Sequence, residues 1–182
     1  MAAFTLLGIS GSLRKSATNR LLIREAARLG EASSFVEANL HLPLYDGDLE
    51  AAEGVPAAVQ LLADQIAAAD AVVISTPEYN KGISGVLKNA LDWVSRAEGK
   101  PWAGKPVAIM SATAGRAGGE RAQFNLRLLM MPFRTRLMQG PEVLVANSSK
   151  AFDDNGHLEG ELYQKMMREL MGALKAEVDL TR

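Results

Sequence analysis

The sequence contains no cysteine. That excludes disulfide staples, thiolate metal ligands and cysteine nucleophiles, and it fits a reducing compartment. Histidine is nearly as scarce. There are two, His41 and His157, and neither sits in an H-E-x-x-H spacing, so nothing points to a metal site. His41 is expected to pack at a strand end. No apolar run is long enough to cross a membrane, and the start MAAFTLLGIS lacks the preceding cationic segment of a signal peptide. The expectation is a cytoplasmic protein. Charge of one sign is lacking too: 20 Lys and Arg stand against 21 Asp and Glu, a net −1. Such a balance argues against a nucleic-acid partner.

What remains is an ordinary globular composition. With 182 residues, 48% hydrophobic and 23% charged, the chain is expected to form one domain over 1–182. Its apolar pattern alternates between two periods. Short runs at Phe4–Ile9, Ser34–Leu40, Ala71–Ser75, Pro106–Met110 and Val143–Ala146 read as strands. Helical spacing is found over Thr18–Leu29, Pro56–Ala69, Gly85–Arg96, Gly119–Met131 and Leu158–Val178. This β-α alternation with apolar strands predicts an α/β fold: a doubly wound, five-stranded parallel sheet of order 2-1-3-4-5, covered by helices on both faces. LHLPLYDGDLE reads as a loop rich in turn formers, and 147–160 as the most loop-like stretch. The methionines at 166, 167 and 171, with Leu170 and Leu174, are expected to serve core or subunit packing.

In such a sheet a ligand lies beyond the carboxyl ends of the strands. Three loops should meet there. GISGSLRKSATN follows the first strand. Its glycines permit a tight turn, Ser10, Ser12, Ser16, Thr18 and Asn19 offer polar groups, and Arg14, Lys15 and Arg20 bring positive charge. Free N–H groups at the next helix start complete a site for a phosphate. It is not a Walker A loop, because Arg14 stands where glycine must precede the lysine, and G-x-G-x-x-G does not occur. One terminal phosphate suits it better than a pyrophosphate. TPEYNKGISG follows the third strand, with Pro77, Glu78, Tyr79 and Asn80 beside glycines that let a planar ligand approach. SATAGRAGGE follows the fourth, with Ser111, Thr113, Gly115 and Arg116. Alone, the second could be a plain β-turn before a helix, and the third a solvent-facing loop. Together the three describe a mononucleotide site, for which FMN is the natural candidate in this fold.

Four collinear segments carry a resemblance: GISGSLRKSATNRLL, LPLYDGDLE, TPEYNKGISGVLKNALDWVSR and SATAGRAGGERAQ. They resemble the NAD(P)H-dependent FMN reductase family, whose fold is flavodoxin-like and which includes quinone and chromate reductases and some azoreductases. The resemblance runs from about residue 6 to 125. It implies FMN as cofactor, NADPH or NADH as electron donor, and a small acceptor such as a quinone, free flavin, chromate or azo compound. It maps the phosphate loop onto Ser10, Ser12, Arg14, Ser16, Thr18 and Asn19, and the ring-binding loop onto Pro77, Glu78, Tyr79 and Asn80. The glycine-rich loop maps onto Ser111, Thr113, Gly115 and Arg116. Glu78 and Asn80 are expected to act chiefly through their backbone, and Tyr79 and Arg116 to meet the substrate. No side chain is required as nucleophile or base, because the cofactor carries the chemistry. The resemblance also implies a homodimer or homotetramer, with Lys88, Asp92, Trp93 and Arg96 as interface candidates.

Three rival functions are weaker. A flavodoxin-type electron carrier without NAD(P)H activity would share the site, but classical flavodoxins are strongly acidic and this chain is not. A serine hydrolase would need G-x-S-x-G, which both GISGS and GISGV miss, although Ser84, Asp153 and His157 fall in triad order. A phosphorelay receiver would need acidic residues after the first strand and an aspartate after the third, and neither is present.

Overall fold

The computed structural model describes residues 4–181. A parallel sheet forms its centre. Its strands are β1 (Thr5–Ser10), β2 (Ser34–Glu37), β3 (Ala71–Thr76), β4 (Pro106–Ala112), β5 (Arg136–Leu137) and β6 (Val143–Val145). The order is β2-β1-β3-β4, and β5 and β6 both pair with β4 along the last edge. The expected order 2-1-3-4-5 therefore stands, with the fifth lane interrupted. β5 sits beside Pro106 and Val107, and β6 beside Met110, Ser111 and Ala112. The sequence pattern marked only the second piece, because two residues are too few to show a period.

The helices are α1 (Thr18–Leu29), α2 (Gly47–Glu53), α3 (Ala57–Ala68), α4 (Gly85–Val94), α5 (Glu120–Met130) and α6 (Glu161–Thr181). Strand alternation sorts side chains to two cores. From β3, Ala71 and Val73 face α1 and α6, while Val72 and Ile74 face α3, α4 and α5. Met167, Leu170, Met171 and Leu174 fill the α6 side, and all four are buried. Helix α1 carries a buried glutamate. Glu25 accepts two hydrogen bonds from Arg28 and one from the N–H of Leu158 at 3.0 Å, tying the approach to α6 onto α1.

Helix α2 begins inside the stretch expected to be a loop and runs three residues past it. It buries no side chain, so the hydrophobic pattern gave no signal for it. It is held to α4 by polar contacts. Arg96 pairs with Glu50 at 3.0 Å, Glu50 accepts from the Tyr45 hydroxyl, and the Asn89 side chain bonds both Tyr45 N and Pro43 O. Trp93 is fully buried and donates its indole N–H to Pro43 O at 2.8 Å. Trp93 therefore belongs to the interior of one chain, which removes it from the expected interface. Lys88 and Asp92 pair with each other on the exposed face. His41 is exposed rather than packed at a strand end, while its neighbour Leu40 takes the buried place.

The Arg96 guanidinium, bonded to Glu50, holds that carboxyl below its usual range, with the Tyr45 hydroxyl adding to the effect. A depressed carboxylate contributes stability above its unfolded-state pKa and loses it as pH falls through the folded value. Acidification below about pH 4 should therefore release residues 42–54 before the sheet, seen as early loss of amide-exchange protection there. Glu50→Gln should show the same loss at neutral pH.

Candidate functional site

The strand register brings three loop exits level. Ser10 pairs with Ser75 and Thr76 with Ser111, so the loops after β1, β3 and β4 leave one edge together. They wall a cleft of about 820 Å3, within the range of small-molecule and cofactor pockets. The first wall is Ser12, Arg14 and Ser16–Asn19. The second is Pro77–Tyr79. The third is Ala112–Ala117 with Gly119 and Arg121, and Ser148 and Ser149 close the far end.

The floor of the cleft rests on Asn19. Its side chain is buried, donates to Ala112 O at 2.9 Å, and accepts from Ala112 N at 3.1 Å and Ser75 Oγ at 2.7 Å. The first turn of α1 is thereby pinned across β3 and β4. That helix opens without a side-chain cap: its N-cap is Ala17, and its first turn holds no acid. Ala17 O takes the N–H groups of Arg20 and Leu21. The N–H groups of Thr18 and Asn19 have no intrahelical acceptor, and the positive end of the helix faces the cleft. Arg14 stands beside it in an exposed position and joins no ion pair among the described residues. A terminal phosphate matches this donor set, so the residues fit FMN.

The second loop is a tight turn. Tyr79 and Gly82 exchange backbone hydrogen bonds at 3.0 Å, and Asn80 and Lys81 between them have φ of 50° and 68°. Asparagine tolerates that left-handed backbone better than most residues. Asn80 stands at the exposed tip, while Tyr79, half exposed, lines the cleft. Glu78 does more than place its backbone. Its carboxylate accepts from Ala122 N at 3.3 Å and lies 3.8 Å from Arg121.

The third loop turns on glycine. Gly119 has φ of 93°, and a Cβ there would lie 2.7 Å from Ser111. Ser111 itself is fully buried. It donates to Gly118 O at 2.6 Å and accepts from Gln123 at 2.9 Å, so it shapes the loop from below. Ser10 is also buried and has its partner in Ser12, at 3.4 Å. Thus Ser12, Arg14, Ser16, Thr18, Asn19, Pro77, Glu78, Tyr79, Thr113, Gly115 and Arg116 meet around one space. Ser10, Asn80 and Ser111 stand behind or beside it.

Sequence reasoning missed Arg121 and Ser148. Ser148 accepts from the Thr18 hydroxyl at 3.1 Å and hangs from Thr113 O through its N–H at 2.9 Å. The hydroxyl pair of NSSK, directly after a strand, was the available signal. The triad order has no site to match it. Ser84 is buried, caps α4 by accepting from Leu87 N, and donates to Gly11 O at 2.5 Å. Asp153 spends one oxygen on the N–H groups of Asn155 and His157.

Asn19→Ala should destabilise the protein by about 2–3 kcal/mol in urea unfolding, because it strands the Ser75 hydroxyl and both Ala112 backbone groups. The same substitution should weaken FMN binding, measured by quenching of flavin fluorescence.

Comparison with known proteins agrees with this geometry. The NADPH-dependent FMN reductase family matches residues 4–150. An NAD(P)H-dependent FMN reductase of Pseudomonas aeruginosa is 41% identical over 172 residues, covering 93% of this chain and 92% of that protein. A quinone reductase of Escherichia coli is 44% identical over 137 residues, 74% of this chain and 73% of its own. Among solved structures, the flavoenzyme NAD(P)H:acceptor oxidoreductase FerB of Paracoccus denitrificans superposes with a TM-score of 0.87 at 31% identity, over 98% of both chains. The uncapped α1, the three converging loops and these likenesses together establish that the chain belongs to the NADPH-dependent FMN reductase family.

Proposed function

We propose that the chain carries reducing equivalents from NADPH or NADH to a small acceptor of the quinone class, with FMN held in the cleft. The observation that carries this reading is the uncapped α1 N-terminus opening into a cleft of cofactor size. When bound, FMN supplies the hydride-accepting and hydride-donating centre, so the protein needs neither nucleophile nor base. The residues divide the remaining work. Thr18 and Asn19 N–H, the Ser16 hydroxyl and Arg14 would hold the phosphate, with the Thr18 hydroxyl tied to Ser148 beside them. Pro77–Tyr79 would position the ring, and the backbone of 113–117 would offer polar groups to it. Tyr79 and Arg116, both exposed at the cleft, meet the incoming donor and acceptor.

Quinone is favoured as acceptor by the quinone reductase of Escherichia coli among the relatives. Free flavin, chromate and azo compounds belong in the same screen. The lack of cysteine is in keeping with a cytoplasmic setting, and among the described residues no helix is long and apolar enough to cross a membrane. We also propose a homodimer, or a homotetramer built from dimers. Phe124, Leu128 and Met131 follow one face of α5 and its extension and are 56%, 63% and 71% exposed. Three large apolar side chains at i, i+4 and i+7 make an apolar stripe suited to burial against a partner. Leu128→Asp should move the protein to a smaller species in light scattering, with the α/β circular dichroism spectrum retained.

The test of function is an anaerobic titration of the FMN-loaded protein with NADPH and NADH, following flavin absorbance. Bleaching by either, and recovery of colour on adding a quinone, is expected. Tight FMN binding with no bleaching by either nucleotide would instead mark an electron carrier. Arg116→Ala should raise the KM for the nucleotide or the acceptor and leave FMN binding within about threefold of wild type; unchanged KM for every substrate would remove that role.

A further inference from the structure

We propose that the Glu78 side chain is a positioning residue that locks the ring-facing turn to α5 and sets the charge at that end of the cleft. The proposal rests on the reading of the cleft as an FMN site. Helix α5 has no cap of its own: its N-cap is Gly119, a left-handed residue without a side chain. Ala122 is the third residue of the helix, where a capping oxygen ordinarily finds its N–H. The oxygen that reaches it belongs to Glu78, 44 residues earlier and on a different loop, at 3.3 Å.

A second contact brackets the same turn. Asn125, one turn further along α5, accepts from the N–H of Ile83 at 3.2 Å. Residues 78 and 83 flank the tight turn 79–82, so both ends of that turn are fastened to α5. The same helix begins where the glycine-rich loop ends. The two loops expected at the flavin ring are thus joined through one helix and hold their spacing together.

The charge consequence is separate from the geometric one. Two helices, α1 and α5, begin at the cleft. The positive end of α5 is met by the Glu78 carboxylate, and that of α1 by no side-chain cap or first-turn acid among the described residues. Only α1 is left to take a phosphate, which fixes which end of the cleft the phosphate occupies. Glu78 is mostly buried, with 17% of its side chain exposed, while Arg121 beside it remains 61% exposed at 3.8 Å. The carboxylate therefore places a fixed negative charge at the ring end, only loosely balanced by Arg121.

Glu78→Gln and Glu78→Ala separate these roles. The glutamine keeps an acceptor for Ala122 N but loses the charge; the alanine loses both. Two quantities are measured on folded protein: the FMN dissociation constant, by fluorescence quenching, and the midpoint potential of bound FMN. Glu78→Ala should raise the dissociation constant about tenfold, the scale of a lost helix cap, and Glu78→Gln should stay within about twofold of wild type. Both variants should shift the potential to more positive values, because removing a negative charge favours the more anionic reduced flavin. An unchanged potential in Glu78→Gln would overturn the charge role, and this holds even if Glu78→Ala fails to fold. Equal FMN affinity in Glu78→Ala and wild type would overturn the positioning role. Failure of the wild type to bind FMN would instead overturn the FMN reading itself.

Discussion

Everything at the cleft depends on how one asparagine side chain is held. Asn19 exchanges hydrogen bonds with the backbone of Ala112 in both directions and accepts a third from Ser75. An amide has a matched donor and acceptor, so it can mimic a strand's backbone in a way that aspartate or serine cannot. The result is a helix start fixed to the two central strands. Its remaining N–H groups then face the sheet edge, where the other loops converge. A buried network of this kind keeps its geometry because each unmade bond would cost more than a surface contact could return.

Around that anchor the protein arranges unequal electrostatics. One helix N-terminus is left uncapped, and exposed arginines stand on two of the loops and on α5. The other N-terminus is capped by a carboxylate from a separate loop. Three backbone devices hold the loops in place. The Tyr79–Gly82 turn uses left-handed residues, Gly119 allows an approach to Ser111 that a side chain would block, and Ser148 is suspended from Thr113. Each lies outside the sheet yet borrows its rigidity from a strand end. This is how a fold whose two faces are filled by ordinary aliphatic packing can present a precise polar edge.

The fold was legible where apolar period and strand burial agree. β3 and β4 are buried at every position, so their apolar runs gave both their existence and their place in a parallel sheet. The apolar pattern extends β2 as far as Leu40, which is buried as part of a loop rather than a strand. α2 and β5 leave no trace, one because none of its residues is fully buried and the other because it spans two residues. At the site, residue types gave the three loops but not the division of labour within them. Ser10 and Ser111 look like donors in the sequence, yet face inward and support the loops. Glu78 looks like a loop residue chosen for its backbone, yet its side chain caps a helix. Arg121 carries no local signal because it lies past the glycines, and only the folded helix brings it to the cleft. Contacts separated by tens of residues have no local signature.

The central claim is that the α1 N-terminus holds a terminal phosphate. The most direct test compares the binding of FMN and riboflavin to the wild-type apoprotein, since the two differ only in that phosphate. The account predicts that FMN binds at least about a hundredfold more tightly, the scale of several charge-assisted hydrogen bonds. Equal affinity for the two flavins would contradict it.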